Sequence, residues 1–434
     1  MSEAKGRAQP RHGATPVLLY FAPLTLLVYL IDPTGQFLDI ALTYLLKDRL
    51  HANAAEAGLF RLVTAIPVYG AFVFGLARDL WNPFGRRDRG MLMLFAPLTA
   101  AVLLVLALLP VSYATLFAGI FLVMLLSRFL VASHQGLLAL ISQEQLMSGR
   151  LSVLWNIVSY IPYIAGALAA GYVAEHVSPV NFFVLLAALC LMLAVFALWK
   201  PRAVYGYAYE APVARGTHLV GDLKRLVRHR AAYPAILIML LFQFSPGTGI
   251  VLQFHLTDRL HATDAVYGEW YAIFLTSFVP VFLGYGHLCR RIAFGRLLRI
   301  AAWIAVPQVL PIVFAHSAES ALWLAIPIGM MGGLIWAAIY DLAMRSCPPG
   351  LQGTLMMLVS GVNALGVRGG DLLGAYLYAR DPVHGIAIAA MLSACFYAAI
   401  IPVIRLVPRE LLATADGEPN PALDRAVRQE LAGG

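Results

Sequence analysis

The chain has 434 residues, 60% of them hydrophobic and only 12% charged, with a mean hydropathy of +0.76. A soluble domain carries about 25% charged residues, so water cannot be the only solvent, and no length is left for a soluble catalytic domain. The net charge of +8 would suggest nucleic acid in a soluble protein, but here the basic clusters are short loops without interleaved aromatics, which argues against that partner.

A helix that crosses a bilayer needs roughly 20 apolar residues. Twelve stretches qualify, at 17–46, 57–78, 90–110, 114–143, 150–175, 179–199, 233–258, 265–289, 297–315, 319–345, 353–379 and 384–407. The first is too long for a signal peptide, lacks a small-residue cleavage site and runs straight on into further spans. The expected layout is a six-helix bundle with its tail (1–199), a basic linker (200–232), a second six-helix bundle (233–407) and a polar tail (408–434). Within the linker, Asp222 to Arg230 reads as a short amphipathic surface helix. Of the 31 Lys and Arg residues, 24 fall on the side of the tails and even-numbered loops and 4 on the other. That asymmetry places both termini in the cytoplasm of an inner or plasma membrane.

The two bundles are copies. Asp48-Arg49-Leu50-His51-Ala52 recurs as Asp258-Arg259-Leu260-His261-Ala262, and Phe84-Gly85-Arg86 recurs at the same offset as Phe294-Gly295-Arg296. Gly149, Gly166 and Tyr172 map onto Gly353, Gly370 and Tyr376, which pairs spans 5 and 11; small residues there let helices approach closely. Duplicated halves of apolar helices are the architecture of a secondary transporter, with its site between them.

In chain order, the first polar signal is Asp32, deep in span 1, followed on one helical face by Gln36 and Asp39. A charge at the bilayer centre costs roughly 2.5–3.5 kcal/mol, so such residues are seldom idle. Asp32-Pro33-Thr34-Gly35 interrupts span 1 as Ser245-Pro246-Gly247-Thr248-Gly249 interrupts span 7, and Pro67 and Pro280 repeat the same offset. Proline frees a backbone carbonyl that only protein, ligand or cavity water can satisfy in lipid, so matched breaks point to a central site. Simple kinks account for the same pattern. Arg128, His134 and Gln135 lie in span 4. His134 can titrate near neutral pH, although a lone histidine in a bundle is commonly just hydrogen-bonded. Gln243, Gln253 and His255 in span 7, with Trp336 and Tyr340 in span 10, offer hydrogen bonds and a stacking surface for a flat ligand; aromatic helix packing explains them equally. Arg368 and Asp371, three residues apart in span 11, read as a local pair. Arg61, Glu269 and Asp341 lie near helix ends and can snorkel to water or headgroups.

Cys190, Cys289, Cys347 and Cys395 form no CxxC and read as buried apolar thiols rather than a metal or disulfide set. No phosphate-binding G-x-x-x-x-G-K-[ST] loop occurs, so ATP is not expected to drive the protein. Protease and lipase motifs are missing as well. The chain is expected not to be an enzyme, and to use no cofactor or metal.

Between spans 2 and 3, Gly75-Leu76-Ala77-Arg78-Asp79 followed by Gly85-Arg86-Arg87 resembles the signature loop of the major facilitator superfamily, with extra residues before the second glycine. A close-packed glycine, an acid that pairs across the bundle and basic residues at the lipid surface make a gate on the cytoplasmic side; ordinary positive-inside charge is the plainer reading. Ile66-Pro67, Phe84-Gly85-Arg86-Arg87-Asp88-Arg89, Cys347-Pro348-Pro349-Gly350, Thr354-Leu355 and Ser360-Gly361-Val362-Asn363 resemble the folate–biopterin transporter branch. The sequence departs from that branch in lacking its carboxylates in spans 4 and 7, where it reads Ala132-Ser133-His134-Gln135-Gly136 and Ser245-Pro246-Gly247-Thr248-Gly249. The resemblance implies an all-α fold of twelve transmembrane helices in two pseudo-symmetric bundles. It also implies that spans 1, 4, 7 and 10 line the cavity, so that Asp32 faces Arg128. The expected activity is proton-coupled transport of a small polar or anionic organic solute, pterin- or folate-like, by a monomer. A permanent structural Asp32–Arg128 pair, or a transporter-like fold serving as a non-transporting assembly factor or sensor, are the alternatives.

Overall fold

The computed structural model describes residues 14–35, 38, 42, 45–46, 50–51, 54–208, 219–262 and 264–418. Gln36 and Asp39 lie outside these, as do residues 419–434 of the tail.

Among the described residues the regular structure is helical, with no strand. The first half contains α1 (Ala14–Ile31), α2 (Ala54–Thr64), α3 (Ile66–Tyr69), α4 (Phe72–Leu80), α5 (Arg87–Leu108), α6 (Tyr113–Glu144), α7 (Ser148–His176) and α8 (Pro179–Phe196). The linker holds α9 (Arg202–Ala208) and α10 (Leu219–Arg228). The second half contains α11 (Ala232–Gln243), α12 (Ile250–Phe254), α13 (Asp264–Thr276), α14 (Phe278–Leu288), α15 (Phe294–Ala305), α16 (Ala318–Arg345), α17 (Gln352–Arg380) and α18 (Gly385–Val403), before the short α19 (Arg409–Ala413).

Eight helical segments among the described residues are long and apolar enough to cross a membrane. They match the expected spans 1, 3, 4, 6, 8, 9, 10 and 12. The other four expected spans are helical too, but each departs for a local reason. Span 2 is three helices, broken at Ala65 and Gly70, because Pro67 at the start of α3 brings no N–H to the preceding turn. Span 7 stops at Gln243 and restarts at Ile250. Spans 5 and 11 are single helices of 29 residues, about 43 Å long, and the latter is interrupted in hydropathy by Arg368 and Asp371.

The duplication is visible in the backbone. His51 and His261 both adopt φ of 50°, an uncommon conformation for a residue with a Cβ. Just before them, Leu50 donates to the Leu45 carbonyl and Leu260 to the His255 carbonyl, each five residues back. Matching caps open spans 4 and 10: Ser112 with Thr115, and Ser317 with Ser320, exchange side-chain and backbone bonds, which satisfies otherwise orphaned amides.

The start of α1 and the linker share one face. The Tyr205 hydroxyl of α9 lies 2.6 Å from that of Tyr20, and α10 is the expected amphipathic helix. It docks on the Cys347–Gly350 turn, where Arg225 donates to the Pro349 carbonyl at 3.0 Å and His229 Nε2 lies 2.9 Å from the Ser346 carbonyl.

Candidate functional site

Helix α1 ends where Asp32 turns the chain. Its Oδ1 accepts from the Thr34 amide at 3.0 Å and the Thr34 hydroxyl at 2.9 Å, an Asx turn that competes with helical continuation. The same oxygen accepts a charge-assisted bond from Arg128 Nη2 on α6. Asp32 and Arg128 are 5% and 4% exposed, so the pair is shielded from bulk solvent, and the Arg128 Nε is buried with no partner. A guanidinium that keeps a buried donor in reserve can bind a further acceptor.

Around this pair the candidate residues sort into three groups. Gln135 bridges the halves: its amide donates to the Tyr29 hydroxyl at 3.1 Å, and its Oε1 accepts from Ser360 of α17 at 2.9 Å. The Tyr29 hydroxyl also accepts from Trp155 Nε1 at 2.8 Å. Trp155 meets Tyr340 with ring centroids 3.9 Å apart, and Tyr340 meets Trp336 at 5.1 Å. His134 is fully buried; its Nε2 is 2.8 Å from the Thr25 hydroxyl, while its Nδ1 has no partner.

The span 7 break behaves differently from the expectation. Ser245 accepts from the Tyr397 hydroxyl at 2.8 Å, and Ser393 accepts from the Gly247 amide at 3.0 Å and lies 3.2 Å from Ser245 Oγ. Helix α18 thus takes up one backbone amide of the break and the Ser245 hydroxyl, and Gly370 and Gly374 of α17 press against Ser245 and Pro246. Ser245 is a packing residue in this state. Gln243 is hydrogen-bonded to Asn363 of α17, and Gln253 is exposed. Arg368 and Asp371 are 3.9 Å apart, a loose contact on the rim, and Asp371 lies instead directly against Gly249, whose φ of +61° follows from the break.

On the face that carries the linker the two halves are locked. Asp79, at the end of α4, accepts from the Gly353 amide (3.1 Å), the Thr354 amide (2.7 Å) and the Thr354 hydroxyl (2.6 Å), capping the N-terminus of α17. Arg78 donates to Asp79 at 2.7 Å and forks onto both oxygens of Asp88 at 2.5 and 2.7 Å. Its guanidinium lies where a Cβ on Gly136 would be, and a Cβ on Gly75 would overlap the Gly353 backbone. Arg86 is exposed and bonds Met93 Sδ at 3.5 Å, and the Arg87 amide donates to Asn82 at 2.6 Å; the cation on Asp79 is Arg78. Gly85 serves the turn, with φ of +64° and nothing near its Cβ position.

A second lock uses residues that sequence reasoning passed over. Asp416 accepts from the Gly149 amide at 2.9 Å and from Arg150 Nε at 2.5 Å, which caps the N-terminus of α7. Its own amide donates to the Cys289 carbonyl at 2.9 Å. Beside it, Arg345 donates to Asp341 at 2.7 Å and to the Thr414 carbonyl at 3.1 Å, and Asp341 accepts from Tyr285 at 2.8 Å. Asp341 is therefore fully paired in the core rather than snorkelling. One signal was available: the repeat that maps Phe84 onto Phe294 also maps Asp79 onto Cys289, an absent acid that the tail replaces. Between the locks, Gln143 donates to the carbonyls of Met344 (2.9 Å) and Cys347 (2.8 Å) across the halves.

Three solved structures share this architecture. FucP in the outward conformation has a TM-score of 0.65 at 16% identity, over 90% of this chain and 98% of that one. The human organic anion transporter TETRAN gives 0.58 at 14%, over 89% and 99%. A bacterial homologue of the iron transporter ferroportin, outward-facing, gives 0.62 at 15%, over 90% and 99%. At such identities the likeness is one of fold. No curated protein sequence matches the chain. The Major Facilitator Superfamily profile matches residues 25–367, most of the chain and parts of both halves, and the protein belongs to that family of integral membrane transporters.

Proposed function

We propose that the protein is a proton-coupled secondary transporter of a small polar or anionic organic solute, working by alternating access between two six-helix bundles. Twelve spans would put both termini on one side, and the Lys and Arg count favours the cytoplasm for it. The locked face is then the cytoplasmic one, and the state described is closed to the cell interior.

The observation that carries this reading is the buried Asp32–Arg128 pair at the break of α1. Breaking such a pair by removing one partner costs about 3–5 kcal/mol, because the other charge is left uncompensated. A proton on Asp32 would release Arg128 to an anionic group of the solute, whose charge then replaces the carboxylate. Loss of the proton on the opposite side would restore the pair and expel the solute. Gln36 and Asp39 follow Asp32 in sequence and are proposed to flank the same site. Gln135, His134, Trp336 and Tyr340 would shape it, and the tilted aromatic contacts suit a flat heterocycle, so pterin- and folate-like compounds are the first solutes to try. The protein is proposed to act as a monomer.

The test is in two stages. Solute-dependent thermal stabilisation with pterins, folates, nucleosides and peptidoglycan fragments selects a substrate. Uptake of that substrate into proteoliposomes under an imposed pH gradient is then compared for the wild type and Asp32→Asn. We expect the folded variant to lose pH-driven uptake by about a hundredfold, the rate equivalent of roughly 3 kcal/mol. Uptake that still follows the gradient removes Asp32 from coupling. The sealing of the span 7 break by Ser393 and Tyr397 favours one other reading, a non-transporting assembly factor or sensor, which no solute in the panel should stabilise.

A further inference from the structure

Away from the central pair, a cavity of about 630 Å³ opens between the first turns of α15 and the end of α18, floored by α19. Four arginines line it: Arg296 and Arg299 from α15, Arg405 just after α18, and Arg409 from α19. No carboxylate shares the lining. Arg299 Nε donates to the Gly295 carbonyl at 3.0 Å, within its own helix. Four positive charges converging on one hollow repel each other unless an anion sits among them.

Positive-inside sorting accounts for how many basic residues lie on this face, but it asks nothing about their convergence. The walls add a second clue. Trp303, two turns into α15 and 63% exposed, also lines the cavity, and the exposed Ile300 and Ile304 beside it continue an apolar strip along the helix. A tryptophan between a basic rim and an apolar strip is the arrangement found at the membrane–water boundary. Guanidinium groups also fork onto phosphate oxygens better than lysines do.

We infer that this cavity is a binding site for the phosphodiester headgroup of an anionic phospholipid, with the acyl chains along the α15 strip. It is separate from the central Asp32–Arg128 pair and does not depend on what the protein transports. Because α19 forms the floor, and a Cβ on Gly295 would press on Leu412, a lipid here also holds the segment that leads to Asp416.

The experiment compares purified full-length protein, delipidated in neutral detergent, after addition of phosphatidylglycerol, phosphatidylcholine or inorganic phosphate. Phosphatidylglycerol should raise the unfolding midpoint by about 3 °C or more and remain bound in native mass spectrometry, while the other two should do neither. The double variant Arg296→Gln/Arg405→Gln should lose about tenfold or more in lipid retention. A chain ending at Glu418 should retain the lipid response, which distinguishes lipid from the acidic residues Asp424 and Glu430 of the tail as occupant. Equal retention of both lipids by the wild type overturns the proposal without recourse to a variant. So does an equal response to inorganic phosphate, or a lipid effect that survives in the folded double variant.

Discussion

The two helix N-termini that meet across the halves, those of α17 and α7, are capped by carboxylates of different origin. Asp79 is built into the end of α4, and its fully buried side chain takes four donors: two amides, a hydroxyl and Arg78. Asp416 belongs to the tail beyond α19, and takes one amide and Arg150, whose side chain is 23% exposed. Both answer the same need, since a helix N-terminus carries roughly half a positive charge and four orphaned amides. The lesson is that duplication kept the electrostatic requirement and not the residue. One lock is part of the bundle, and the other is supplied by the segment after α19.

That contrast can be broken most sharply at Asp79. Asp79→Ala leaves the two α17 amides and the Thr354 hydroxyl without their acceptor, while Arg78 keeps Asp88, and we expect it to destabilise the closed arrangement by about 3 kcal/mol or more, since each buried unsatisfied donor costs about 1–3 kcal/mol. Spin labels across the linker face should report a large shift toward separation; an unchanged distance distribution would mean that the cap is not what holds the halves. Next in size is a pair of glycines. Gly75→Ala drives a methyl into the Gly353 backbone, which cannot yield without moving a helix, and should cost about 1–3 kcal/mol. Gly149→Ala meets the Cys289 Sγ and Cβ at 2.8 and 2.9 Å, but no backbone atom as Gly75→Ala does, so its loss in thermal stability should be smaller. Equal losses would remove the distinction between rigid and yielding contacts.

Asp416→Ala should cost less again, about 1 kcal/mol. In that background Cys289→Asp puts an acid back where the repeat aligns Asp79, within reach of Gly149, and should recover part of the closed population. No recovery would show that the tail does more than supply a carboxylate. The smallest effect concerns the linker. Burial depresses the His229 imidazole below its ordinary value of 6.5, with the neighbouring Arg225 acting in the same direction against the Ser346 hydrogen bond. The undocked linker therefore takes up the proton first, and α10 docking should weaken as pH falls below 6.5. Protease cleavage in the linker should rise on acidification by less than about tenfold, and His229→Gln should flatten that rise.

Much of the bundle was legible because lipid leaves few options: length and apolarity gave the spans, and the Asp48–Ala52 repeat gave the halves. The Asp32–Arg128 contact was legible only through the family resemblance, which implies that spans 1 and 4 line one cavity. What was not legible depends on contacts distant in sequence. Nothing local to Asp416 marks it as the cap of a helix that begins some 270 residues earlier. The choice of Arg78 over Arg86 and Arg87 was hidden because all three are basic and close, and only the turn at Phe84–Gly85, where both residues have positive φ, aims the later pair away. The span 7 break read as an opening because proline exposes backbone groups. On the last span, Ser393 takes the Gly247 amide and Tyr397 the Ser245 hydroxyl, contacts distant in sequence that fill the break.

One consequence lies along α6. Arg128, which holds Asp32, and Gly136, on which Arg78 rests, are two turns apart on this single unbroken helix, about 12 Å of stiff rod. Any tilt that pulls one end from its partner tips the seat beneath the other. In the proposed mechanism the helix would act as a beam between the buried pair and the contacts at its other end, without an intervening relay.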